Sequence, residues 1–119
     1  VVFGTEGARN YVPKGRTIEF AAPLSAKELL SGQSRFSRDV ARCDLVLDIG
    51  EGDSFTDIYG MQRFRRQMLS KFIVLWCRRP LVLSPQTIGP FDRPVARWIA
   101  VQAMKRCLRV FTRDSLSTE

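Results

Sequence analysis

Asp44-Leu45-Val46-Leu47-Asp48-Ile49, closed by Gly50, is the stretch that decides the fold. The run is almost continuously apolar, as expected of a strand covered on both faces in a parallel sheet. Working outward, Leu81-Val82-Leu83-Ser84 follows Pro80 and reads as a second strand, and Leu108-Arg109-Val110-Phe111-Thr112 reads as a third. Shorter strand signals lie at Val1 to Phe3 and Thr17 to Phe20. Helical patterns fill the intervals. Ser25 to Leu30 and Ser34 to Ala41 read as two short helices broken at Gly32. Tyr59 to Cys77 is a long amphipathic pattern with Phe64, Met68, Phe72 and Leu75 three or four residues apart. Pro94 to Cys107 is another, with Pro94 suited to a first turn and Val95, Trp98, Ile99, Gln102 and Met104 along it. The aromatic and methionine positions of both helices are expected in the core. Residues 5–15 are polar, with Gly7, Pro13 and Gly15, and read as a surface loop. Strands alternating with helices call for an α/β domain built on a parallel sheet, here one domain over residues 1–119.

Composition agrees with a globular domain. Hydrophobic residues make up 45% of the 119 positions and charged residues 26%, which excludes a disordered chain. Nineteen basic against 12 acidic residues give a net charge of +7, and there is no histidine. The densest basic cluster, Arg63, Arg65 and Arg66 with Lys71, Arg78 and Arg79, falls on the long helix and its exit. It reads as a solvated helix face, and no nucleic-acid-binding motif accompanies it. Cys43, Cys77 and Cys107 are an odd number with no CxxC pair, which argues against a disulfide framework or a structural zinc site and fits a reducing cytoplasm. No apolar run approaches the length of a membrane span. Val1 opens on the tail of a strand and Glu119 stops just after a helix start, so the chain is expected to be a piece of a longer protein.

In an open parallel sheet, ligands bind beyond the carboxyl ends of the strands. One unusual segment follows each of the three strands there. The first is Gly50-Glu51-Gly52-Asp53-Ser54-Phe55-Thr56-Asp57. Its glycines permit a sharp turn and close approach to a ligand. Phe55 stands where a dinucleotide fingerprint needs a third Gly or Ala, and the Lys of a phosphate loop is missing. The carboxylates Asp48, Glu51, Asp53 and Asp57 suit metal binding, sugar hydroxyls or proton transfer; a tight turn with Asp53 and Ser54 capping the next helix accounts for them equally well. The second segment, Ser84-Pro85-Gln86-Thr87-Ile88-Gly89-Pro90-Phe91, offers an amide, a hydroxyl and a Gly-Pro turn, although an ordinary loop would look similar. The third, Thr112-Arg113-Asp114-Ser115, sets a guanidinium beside a helix start, an arrangement open to carboxylate or phosphate, or to a plain surface pair with a cap.

The three segments in this order resemble the polysaccharide pyruvyl transferase family. The matching elements are Asp44 to Ser54 with Asp57, then Gln86-Thr87-Ile88-Gly89-Pro90, then Arg113-Asp114-Ser115. The resemblance implies a three-layer, Rossmann-like parallel sheet flanked by helices, similar to one half of a two-domain glycosyltransferase fold of the GT-B type. The site would lie in the cleft, with the second domain supplied by the same parent chain. It implies transfer of a pyruvyl group from phosphoenolpyruvate, as donor substrate and without cofactor or metal, to a sugar of a cell-surface polysaccharide as a ketal. By this resemblance Arg113 is the anion contact, with Glu51 and Asp53 as catalytic candidates at an acceptor hydroxyl. Gly50, Gly52, Ser54, Asp57, Gln86, Gly89, Asp114 and Ser115 would bind substrate. Glu51 departs from the pattern, since many members carry a glycine there, and the family's histidine has no counterpart in this chain. The piece alone is expected to be inactive. The implied partners are phosphoenolpyruvate and a glycan acceptor, with no nucleic acid. The implied location is the cytoplasm, with the inner membrane face as a peripheral variant. Two rival readings are a transferase of this architecture using a nucleotide-sugar donor, and a non-catalytic binding module.

Overall fold

The computed structural model describes residues 34–50 and 54–113 together with Lys27, which is helical. The chain divides into two compact units, Val1–Cys43 and Asp44–Glu119. The expected strands at Val1 to Phe3 and Thr17 to Phe20, and the loop at 5–15, lie outside the described residues.

In the first unit, helix α1 spans Arg35–Ala41. Ser34 starts it: its Oγ accepts the Ser37 N–H, and the Ser37 hydroxyl donates to Ser34 O at 2.8 Å. This hydroxyl capping satisfies donors that the first helical turn leaves open.

The second unit runs β1 (Val46–Asp48), α2 (Met61–Trp76), β2 (Leu81–Gln86), α3 (Pro94–Lys105) and β3 (Arg109–Thr112). The strands form a parallel sheet in the order β1-β2-β3, so the molecule is α/β with helices flanking a parallel sheet. Register pairs Val46 with Leu81 and Asp48 with Leu83 in one ladder, and Leu83 with Val110 in the other. Leu81 and Leu83 are fully buried on that face. The alternate residues Leu45, Leu47 and Ile49 point to the opposite face, as the period of two along a strand requires. They are exposed there, which corrects the expectation of a strand covered on both faces.

Strand β2 continues two residues beyond the sequence expectation, through Pro85 to Gln86. Proline has no N–H for the ladder, and the register slips between Leu83 and Gln86, where three steps of β2 match two of β3. The bulge restores parity. Gln86 pairs with Thr112 and so returns to the buried face it would otherwise have left.

The core joins Phe55, Phe64 and Met68 to Ala96, Ala100 and Ala103. The alanines recur at four and three residues along α3, and this small-residue face lets Phe64 and Met68 of α2 approach closely. Phe55 stacks on Phe64 with centroids 5.9 Å apart, and Phe91 meets both edge-on. This corrects the expected core of α3. Trp98 is 63% exposed and Val95 68%, because the alanine stripe occupies the inward side. Phe72 of α2 is likewise exposed. The basic face of α2 and its exit is also corrected: Arg65, Arg66 and Arg78 are exposed, Arg63 and Arg79 are half-buried, and Lys71 is completely buried.

Candidate functional site

The carboxyl ends of the three strands lie side by side, and direct bonds tie their exits together. After β1 the chain turns at Gly50 with φ +62°, a conformation that L side chains rarely adopt. A Cβ at this position would also fall 2.1 Å from Gln86 Oε1, so backbone and carboxamide lie against one another. Asp48 holds the turn: its Oδ1 accepts the Gly50 N–H at 2.7 Å, and its Oδ2 lies 2.8 Å from Lys71 Nζ.

Beyond the turn, Phe55 runs alongside the exit of β2. Its N–H donates to Thr87 O at 2.8 Å, its own carbonyl accepts the Gly89 N–H at 2.9 Å, and it forms a parallel bridge with Ile88. Half-buried Ser54, one residue earlier, is thereby delivered to the same rim. Gly89 has φ +76°, which permits the turn that follows. Thr56 Oγ1 donates to Pro90 O and closes this layer beneath the rim.

The exit of β3 joins from the other side. The Arg113 N–H donates to Gln86 O at 3.2 Å, and Arg113 Nη2 donates to Thr87 Oγ1 at 3.0 Å. Arg113 is exposed, and its guanidinium makes no other bond among the described residues. The remaining N–H donors of its planar fork have no partner among the described residues. Gln86, by contrast, is 2% exposed, and both its Oε1 and its Nε2 lack a hydrogen-bond partner among the described residues. A buried carboxamide with all its bonding capacity open is rare in folded proteins and marks a place where water or a ligand group belongs. Gln67 on α2, one turn before Lys71, shows the same condition.

The structure therefore brings Gly50, Ser54, Gln86, Gly89 and Arg113 to one edge of one sheet. Asp57, expected at the substrate, is engaged elsewhere. It is buried, and its two oxygens accept the N–H groups of Asp92 and Arg93 at 2.9 and 3.0 Å, immediately before α3. A carboxylate there satisfies open donors and complements the helix dipole. Glu51, Gly52, Asp53, Asp114 and Ser115 lie outside the described residues. Lys71 escapes a reading of the loops alone, and Thr87 and Asp48, which the loops offered as a hydroxyl and a carboxylate, act on neighbouring protein groups. Thr87 anchors Arg113, and Asp48 with Lys71 holds the turn. The last pair had a signal: Lys71 falls in the buried stripe of Phe64, Met68 and Leu75, and Asp48 in an apolar strand, where two opposite charges call for each other.

Electrostatically, burial pushes the Cys107 thiol up to about 11, an effect that nearby Lys71 opposes and Asp48 reinforces. The thiol donates to Ala103 O at 3.4 Å. All three cysteines are free and half-buried. Among the described residues no group of three histidine, cysteine or carboxylate side chains is placed to hold a metal ion, and no helix is long and apolar enough to cross a membrane.

Comparison with known proteins agrees with this geometry. The family model described as polysaccharide pyruvyl transferase matches residues 6–119. The searches of curated proteins and of solved structures give no match. A match over nearly the whole length, with the glycine turn, the glutamine strand exit and the arginine strand exit meeting at one rim, means that the chain belongs to the polysaccharide pyruvyl transferase family.

Proposed function

We propose that this chain forms one side of an active site that transfers a pyruvyl group from phosphoenolpyruvate to two hydroxyls of a sugar. One observation carries the reading beyond family membership. Arg113 presents an anchored, exposed side chain at the strand rim that also holds the glycine turn and the open carboxamide of Gln86. A planar fork of donors matches the carboxylate or phosphate of an anionic donor, and Lys would not reproduce it.

The reaction balances as follows. A proton adds to the methylene carbon of the donor, making a methyl group and an electron-poor carbon beside the phosphate ester. One sugar oxygen bonds to that carbon and gives up its proton. The carbon–oxygen bond to phosphate then breaks, and the second sugar oxygen takes its place and releases its proton. One of the two hydroxyl protons is accounted for by the new methyl group and the other by the departing phosphate. In this scheme Arg113 holds the anionic donor and offsets charge on the leaving group. Gln86 and the turn at Gly50 and Ser54 orient donor or acceptor, and Glu51 or Asp53 serves an acceptor hydroxyl. The further cations, and the acid for the methylene carbon, are assigned to a facing half of the site, because this chain has no histidine.

The test is release of inorganic phosphate from phosphoenolpyruvate by the full-length protein in the presence of a glycan acceptor, with the ketal detected on the sugar by its methyl resonance. Phosphate release that depends on acceptor supports the reading. Release of a nucleoside diphosphate from a nucleotide sugar instead would overturn it.

A further inference from the structure

Two opposite charges occupy positions where the pattern of the chain asks for apolar side chains. Position 71 continues the inward stripe of α2, and position 48 lies within the apolar run of β1. Lys71 is 1% exposed; besides its 2.8 Å contact with Asp48, its Nζ stands 4.4 Å from the centre of the Phe55 ring. Withdrawing such a pair from water costs several kcal/mol per ion, and well-packed apolar residues of similar volume are often as stable. Fold stability alone therefore does not account for it.

The second carboxylate oxygen shows what the pair does. Asp48 Oδ1 accepts the N–H of Gly50, two residues on, where the chain enters its left-handed turn. Asp48 is 19% exposed, so water competes for its oxygens. Holding one oxygen against a buried ammonium fixes the carboxylate plane and leaves the other aimed at the turn. The Gly50 backbone set in this way is the one lying against Gln86.

We propose that Lys71 and Asp48 are positioning residues of the glycine turn: the ion pair locks the carboxylate, and the carboxylate locks Gly50 against Gln86. The inference rests on the reading of this turn as part of the pyruvyl-transfer site. Neither side chain touches substrate; both act through the backbone.

The test uses two variants of the full-length protein. Lys71→Met removes the charge and keeps the length. The double variant D48A/K71M leaves no unpaired charge in the interior, so it remains informative should the single variant fold poorly. Two amides are followed by hydrogen exchange: Gly50, and Val46, whose N–H donates to Pro80 O and reports the pairing of β1 itself. Both variants are expected to exchange Gly50 at least tenfold faster than the unaltered protein, to the same level as each other, with Val46 unchanged. In turnover of phosphoenolpyruvate, K71M is expected to lower kcat at least tenfold. Unchanged Gly50 exchange, equal acceleration of Gly50 and Val46, or unaltered kcat in a protein that does consume phosphoenolpyruvate would each overturn the proposal. If phosphoenolpyruvate is not a substrate, the functional reading fails, while the two amides still decide whether the pair sets the turn.

Discussion

Gly50 and Gln86 compete for one volume: the place where a side chain at position 50 would begin is occupied by the carboxamide oxygen of Gln86. Gly50→Ala therefore meets two penalties. The left-handed backbone is strained for any residue with a Cβ, by about 1–2 kcal/mol, and the carboxamide must swing away. Denaturant titration is expected to show a stability loss of about that size. The double variant G50A/Q86A removes the overlap but keeps the backbone strain, so its loss should be smaller than the sum of the two single losses. Additive losses would show that the two positions do not touch.

Asp57 should matter for stability and far less for ligand binding. Its carboxylate accepts two backbone N–H groups ahead of α3 from 35 and 36 residues away in sequence. Asp57→Ala is expected to cost about 1–2 kcal/mol, in line with loss of a helix cap, read as a lower urea midpoint with an unchanged slope. Asp57→Asn keeps one acceptor oxygen and should fall between the two. A D57A protein as stable as the original would show that these bonds are not holding the helix start.

Cys107 should be the slow thiol to alkylate in the folded protein. With its pKa raised from 9.0 to about 11, the thiolate fraction at pH 8 drops from about one in ten to about one in a thousand. Reaction with iodoacetamide at pH 8 is expected to be about a hundredfold slower in the native chain than in urea, beyond any effect of access. The native state holds its proton more tightly than the unfolded chain. This contribution to stability is therefore complete below pH 9 and is lost as pH rises through about 11. Mass spectrometry of the labelled peptide against time checks the rate.

Arg113→Ala should leave the fold intact and remove turnover. The side chain is exposed and makes one side-chain hydrogen bond, to Thr87, among the described residues. Loss of a donor aimed at developing charge lowers kcat by roughly a hundredfold to a thousandfold in comparable sites. Arg113→Lys should recover little, since an ammonium cannot present the fork. Thr87→Val unties the guanidinium without removing it, so a smaller loss, mostly in KM for phosphoenolpyruvate, is expected. Steady-state kinetics on the full-length protein separate the three.

The strands and helices of the second unit were legible because their signals are local. The apolar run at β1, the proline opening α3 and the three-or-four spacing along α2 each fix an element without reference to the rest of the chain. The convergence of Gly50, Gln86 and Arg113 was legible too, since a parallel sheet delivers all its strand exits to one edge. What stayed hidden depends on partners distant in sequence. The alanine stripe that turns Trp98 outward becomes visible only once α3 meets Phe64 and Met68. Asp57 looked like a ligand contact because nothing near it in the chain reveals a helix start 35 residues later. Lys71 looked solvated because its charge outweighed its place in the stripe.

The extra residue in β2 at Ser84 and Pro85 makes the facing of Gln86 depend on the bulge as well as on residue count. Deleting either residue would remove the bulge and leave the glutamine two steps from Leu83, on the same buried face. Straightening the strand at its present length would instead turn it to the outer side of the sheet, away from Gly50. Across related sequences, loss of one residue here should thus be tolerated when the bulge is lost with it, whereas the present spacing should keep residues, such as Pro85, that do not complete the ladder.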